Sequence, residues 1–162
     1  MSLADQPMVF TGSVAEEDLR ITQFSIREQL GRPFQATIDL SSPEKEIPIN
    51  DVLGQPAQVR VLHNGTKERF FHGIVSRFAL RTVRSGEFEY RATLVPWFWL
   101  LTRSSDCKIY QEMSVPDIIK AKLEALHLVE GTDFEFRFDQ SYPPREFVVQ
   151  YKETDLAFIS RL

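Results

Sequence analysis

Apolar and polar residues alternate with a period of two over much of this chain, which is the pattern of half-buried β-strands. The cleanest stretch sets Phe34, Ala36, Ile38 and Leu40 on one face and Gln35, Thr37, Asp39 and Ser41 on the other. Just upstream, apolar residues fall at 19 and 21 and then at 24 and 26, so the parity changes across Gln23 and predicts a bulged strand. Gly31-Arg32-Pro33 turns the chain between the two. Further on, Ala57 to His63 and Arg69 to Val83 flank Asn64-Gly65, a dipeptide whose tolerance of positive φ marks a tight hairpin. After Arg84-Ser85-Gly86, the residues Phe88, Tyr90, Ala92 and Leu94 alternate with Glu87, Glu89, Arg91 and Thr93. A three-strand meander is therefore expected over residues 57 to 95, and Gly73 within it suggests a bulge or sharp bend that lets the sheet curl.

Helical signals are fewer and shorter. Ile49 to Leu53 followed by Gly54 reads as one turn closed by a left-handed glycine. Pro96 ends the meander, and Trp97 to Leu101 forms a compact aromatic knot, expected as a short helix. Ser114 is placed to cap a longer helix, with Asp117 in its first turn, Val115, Ile118, Ile119, Leu123 and Leu126 on one stripe, and Gly131 past its end. Phe134 to Phe138 and Glu146 to Tyr151 read as strands around a Pro143-Pro144 turn, and Thr154 caps a last helix carrying Leu156, Ile159 and Leu162. Because the pattern stops inside that helix, a longer parent polypeptide is expected. The pattern predicts a β-dominated α+β fold: a loosely ordered segment or edge strand over 1–18, a small antiparallel β-barrel or curled sheet over 19–96, and a helix-containing connection opening a second lobe over 97–162.

Composition narrows the function classes. The 162 residues are 43% hydrophobic, enough for a real core, and their formal net charge of −4 has the wrong sign for binding a phosphate backbone. Nucleic acid is therefore not an expected partner. The one cysteine, Cys107, cannot form an internal disulfide. Met1 to Pro7 lacks the basic and apolar regions of a cleavable signal, and the run Leu94 to Leu101 is shorter than the roughly 20 residues a membrane helix needs. No membrane-spanning segment is expected, and the chain reads as cytoplasmic unless a dedicated machine exports it.

Candidate chemistry is sparse. His63, His72 and His127 are far apart and lack the spacing of zinc ligands, so no metal site is expected. Cys107, between Asp106 and Lys108, has no histidine near it and reads as a small buried hydrophobe. The seven glycines are dispersed and match no phosphate-binding loop, so no cofactor is expected. Glu87, Glu89 and Arg91 read as the solvated side of an antiparallel ribbon in preference to an acid pair for glycoside cleavage. The aromatic content of 12% is high, and Phe70, Phe71, Pro96, Trp97, Trp99 and Leu100 are the residues expected in core or subunit-interface packing. No residue is assigned a catalytic role. Two other readings stand beside assembly: a small-ligand or carbohydrate site in the barrel mouth using Trp97 and Trp99, and a hydrolase drawing on His63, His72 and Cys107.

Several longer blocks carry a resemblance. Leu30-Gly-Arg-Pro-Phe34, Asp51-Val-Leu-Gly54 and Arg69-Phe-Phe-His-Gly-Ile-Val75 are followed by Leu94-Val-Pro-Trp-Phe-Trp-Leu-Leu-Thr102. Ser105 to Gln111, Ser114 to Ile119 and Gln150 to Arg161 complete the set. In order and spacing, from about Leu19 onward, they resemble the N-terminal hub portion of the VgrG family, the tip or spike proteins of type VI secretion systems. Phe98, Lys108, Tyr110 and the loop from Glu130 to Asp139 depart from the family's forms. The resemblance implies a hub like that of contractile phage tails, in which a homotrimer with pseudo-sixfold symmetry caps a tube of Hcp protein. It implies bacterial cytoplasmic assembly and export by the type VI machinery without a cleavable signal. Effectors or spike-tip proteins would join through regions beyond Leu162. It carries over no catalytic residue.

Overall fold

A computed structural model of the chain describes residues 7–14, 19–43, 46–63, 67–84 and 86–162. It divides into two compact units, Met1–Trp97 and Phe98–Leu162. The predicted Asn64-Gly65 turn lies outside the described residues, although the positions flanking it, His63 and Lys67, do pair.

The first unit is a six-stranded antiparallel sheet. Its strands are β1 (Met8–Thr11), β2 (Arg20–Gln29), β3 (Arg32–Ser42), β4 (Pro56–His63), β5 (Lys67–Arg84) and β6 (Glu87–Val95), in the order β1-β4-β5-β6-β3-β2. The outermost strands β1 and β2 also touch, so the sheet curls into a half-barrel. Alternation explains its core: Ala36, Ile38 and Leu40 of β3 and Tyr90, Ala92 and Leu94 of β6 are all at most 1% exposed. Burying a Leu, Ile or Phe side chain this completely contributes about 1.5–3 kcal/mol. Tyr90 stacks on Phe78, with centroids 4.9 Å apart, and its hydroxyl accepts from the Ile47 amide at 2.8 Å, so its polar tip is satisfied inside the core.

Where the sequence predicted irregularities, pairing places them. The bulge in β2 falls between Ile21 and Gln23, so Thr22 is the extra residue beside the predicted Gln23. In β5 the register shifts lie between Val75 and Arg77 and between Leu80 and Thr82, not at Gly73. Gly73 pairs regularly with Ala57, and a Cβ there would lie 1.9 Å from the Val95 carbonyl oxygen, so glycine is required by close backbone approach. The N-terminal stretch supplies an edge strand: β1 pairs with β4 and buries Val9 and Phe10. A single 3-10 turn at Ile49–Asp51 buries Val52 behind it, and Gly54 has φ 79 as the turn signal required.

The second unit begins with a 3-10 helix whose bounds, Trp97–Thr102, overlap the boundary, and continues through β7 (Ser105–Met113), α1 (Val115–Glu124), β8 (Arg145–Thr154) and α2 (Asp155–Arg161). β7 and β8 form an antiparallel ribbon, and Leu101, Tyr110, Ile118, Leu123, Val148 and Phe158 make the core with the two helices. Ser114 and Asp117 form a reciprocal capping box, and the Thr154 hydroxyl accepts from the Ala157 amide. Two expectations change. The left-handed residue after α1 is His127, at φ 62, while Gly131, at φ 85, belongs to the next turn. Phe134 to Phe138 is not a strand: apart from one bridge between Glu130 and Phe134 it has no strand partner, and its alternate rings pack on one another, Phe134 edge-on to Phe136 at 5.4 Å and Phe136 stacked on Phe138 at 5.1 Å.

Candidate assembly surface

The residues expected in core or interface packing divide sharply. Phe71 is core, at 6% exposure, and packs against Phe24 and Phe34 at centroid distances of 5.6 and 6.1 Å. Its neighbour Phe70 points the other way, is 43% exposed, and stacks on the exposed His72. Pro96, Trp99 and Leu100 are half-buried, Trp97 is exposed, and the guanidinium of Arg103 lies 5.6 Å from the Trp99 ring. Leu101, which the sequence did not single out, is the residue of this aromatic knot that is fully buried. The apolar cleft of the half-barrel, about 560 Å³, is lined by Phe24, Ile26, Val61, Phe71, Lys67, Glu68 and Arg69, and of these only Phe71 was among the residues expected in core or interface packing.

The ribbon carries the larger apolar surface. Tyr110, Val148 and Gln150 face the helices and are buried, while the opposite face presents Ile109, Phe147, Val149 and Tyr151 at 41–67% exposure. Register places Ile109 directly across from Val149, so these side chains form one patch. Cys107 pairs with Tyr151 and is exposed, which corrects the expectation of a buried thiol: alternation puts it on the face the helices do not cover.

The least exposed charged side chains, Asp39, Lys122 and Asp155, are engaged in structural pairs. On the half-barrel, Arg91 donates from Nε and Nη2 to the two carboxylate oxygens of Asp39 at 2.6 and 2.7 Å, with Arg81 at 3.8 Å. The Arg91 hydrogen bond holds the Asp39 carboxyl below its usual range despite partial burial. In the second unit, Lys122 Nζ donates to Asp155 Oδ1 at 2.8 Å and to Asp106 Oδ2 at 3.3 Å. Asp155 also accepts from Gln150 Nε2 at 2.8 Å and from the Ser104 hydroxyl at 2.6 Å. Burial alone would raise the Asp155 carboxyl, but Gln150, Lys122 and Ser104 outweigh it and hold it below the ordinary value.

These geometries pair charge with charge and aim none of it into a cleft as an acid, a base or a nucleophile. Among the described residues no three His, Cys, Asp or Glu side chains converge as metal ligands would. His72 lies on β5, Cys107 on β7 and His127 after α1, and all three are exposed; the His63 side chain lies outside the description. No helix among the described residues is long and apolar enough to cross a membrane.

Comparison with known proteins agrees with an architectural reading. The chain is 40% identical over its full length to the type VI secretion system spike protein VgrG1b of Pseudomonas aeruginosa, and 44% identical over 84% of its length to VgrG1a of the same organism. It spans 22% and 21% of the lengths of these two relatives. Among solved structures it matches the E. coli c3393 protein, a type VI secretion component with similarity to the T4 tail proteins gp27 and gp5. That match has a TM-score of 0.78 and 36% identity, over 89% of this chain and 42% of that one. The 43 kDa tail protein of prophage MuSo2 from Shewanella oneidensis shares the fold, with a TM-score of 0.62 at 13% identity over 96% of this chain and 46% of that one. The phage tail baseplate hub (GPD) family model matches residues 27–162, and the chain belongs to that family.

Proposed function

We propose that this chain is the hub portion of a type VI secretion spike, that three copies assemble around an axis, and that the resulting ring seats on a tube of Hcp protein. In this reading residues 19–96, extended by the strand Met8–Thr11, are the first hub barrel, and residues 97–162 open the second lobe. The work is architectural, with no bond made or broken. The protein is assembled in the bacterial cytoplasm and leaves with the machine, and effector or spike-tip partners attach through regions beyond Leu162.

Family membership supports the reading, and the structural observation that carries it is the uncovered ribbon face of Ile109, Phe147, Val149 and Tyr151. A contiguous apolar patch of this kind marks a protein–protein interface, and in a ring of identical copies it meets the neighbouring subunit. Phe70, Trp97 and Trp99 extend the subunit packing, while Phe71 shapes the barrel from inside. Light scattering on the intact protein, alone and with Hcp, tests the proposal. A mass of three copies that rises further when Hcp is added is the expected result. An intact protein that stays monomeric and ignores Hcp refutes it.

A further inference from the structure

Residues 125–144 join α1 to β8 without a regular element, although connections longer than about 12–15 residues are uncommon in a compact unit and are usually functional. Inside this stretch Glu135 to Phe138 runs without a turn or bend, and its side chains alternate as a strand's do. The Phe134, Phe136 and Phe138 rings follow one another, with Tyr142 beyond at 5.4 Å, while Glu135 and Arg137 between them are exposed. The backbone groups of Glu135 to Phe138 make no hydrogen bond among the described residues. This segment therefore has the pattern of a strand and lacks a ladder. β7 has the opposite shortage: among the described residues it pairs only with β8, so its other edge offers a row of unpaired backbone groups. Along that strand Asp106 and Lys108 are exposed on one face, and Cys107 and Ile109 on the other.

We infer that Glu135 to Phe138 of one copy adds as a third, antiparallel strand to the free β7 edge of a second copy, with Glu135 opposite Lys108. The inference rests on the assembly reading above and names one of its contacts. Charge selects the occupant and its register. The same alignment sets Arg137 opposite Asp106, so two pairs of opposite charges meet across the strands, and it sets Phe136 opposite Cys107. Phe136 then shares a face with Ile109 and extends the exposed apolar patch of the ribbon. Sliding by two residues in either direction brings Lys108 against Arg137 or Asp106 against Glu135, and like charges directly opposite are destabilising. A parallel alignment that matches these charges pairs Lys108 with Asp139, where the chain bends, and puts the polar Gln140 beside Ile109. Lys108 makes no ion pair among the described residues and lies 5.1 Å from the Tyr110 ring, while Arg137 pairs only with its exposed neighbour Glu135, at 3.1 Å. Strand and edge are different surfaces, so the contact is heterologous and can repeat around a ring of three.

The test is sedimentation of the intact protein beside two charge reversals, Lys108→Glu and Glu135→Lys. Both positions are exposed, so each variant melts like the parent. Each variant alone is expected to self-associate roughly three- to tenfold more weakly, because like charges then face each other across the strands. Mixing the two recovers association, since the unaltered Lys108 of one variant meets the unaltered Glu135 of the other. Single variants that associate like the parent, or a mixture no stronger than its components, overturn this contact while leaving the assembly reading to its other surfaces. A parent protein that stays monomeric at every concentration overturns both.

Discussion

Lys122 carries its charge into a site that is 8% exposed, where an unpaired ammonium would be strongly destabilising. Asp155, equally buried, compensates it, and Gln150, Ser104 and Tyr110 complete the shell. Removing one member should therefore hurt more than removing two: Asp155→Asn is expected to lower unfolding free energy by about 3 kcal/mol, and Lys122→Met added to it to recover most of that loss. Urea denaturation of the two single variants and the double variant measures the coupling. The pair also sets a pH window. Asp155 sits below its ordinary 3.8, so its stabilisation is complete above that value and disappears as pH falls through the lowered one. Burial alone would lower Lys122, but its bonds to Asp155 and Tyr110 prevail and raise it above 10.5, so its share is present below that value and is lost as pH climbs through the raised one. Stability should be level through neutrality and fall at both extremes. Asp155→Asn should shrink the acid limb only partly, because the lowered carboxyls of Asp39 and Glu153 contribute to the same limb.

At the scale of elements, β5 organises the half-barrel: it pairs with β4 through its first half and with β6 through its second, bending at two bulges. Where those two ladders overlap, Gly73 lets the Val95 carbonyl come close. Gly73→Ala must move the β6 end or break the local pairing, and a loss of about 1–3 kcal/mol is expected from thermal melting. The bulges themselves were hidden from sequence because register belongs to pairs of strands, and nothing in Ser76 or Arg81 marks them as the extra residues. β3 and β6, by contrast, were legible at once, since each has one buried and one wetter face and the pattern records it. β1 is four residues long, too short for a period to show. Phe134 to Phe138 had the right period but found no strand to pair with beyond a single bridge, so alternation there reports a cluster of rings and not a ladder. The ribbon face was hidden for a related reason. Ile109 and Tyr110 are adjacent and both apolar, and only the packing of α1 and α2 decides which of them is covered.

For the molecule as a whole, that uncovered face separates stability from assembly. Phe158, on the covered side, is fully buried and stacks on Tyr110 at 5.5 Å, so Phe158→Ala should cost about 3–5 kcal/mol and compromise folding in any oligomeric state. Ile109 and Phe147 are each 62% exposed, and replacing both with threonine keeps strand-forming side chains in place. The double variant should melt like the parent, within about 0.5 kcal/mol, because it removes little intrachain packing. If copies of the chain meet through this face, the same variant loses anchors at the centre of the interface, where a residue contributes about 2 kcal/mol or more. Sedimentation at graded concentrations should then show self-association weakened by well over tenfold while the melting curve stays put. Unchanged association in the double variant would move the subunit contact elsewhere, and a lowered melting temperature would show that the face is covered within the folded monomer. The two outcomes separate because the residues that hold the second unit together and those that remain available to a neighbour occupy opposite sides of one two-stranded ribbon.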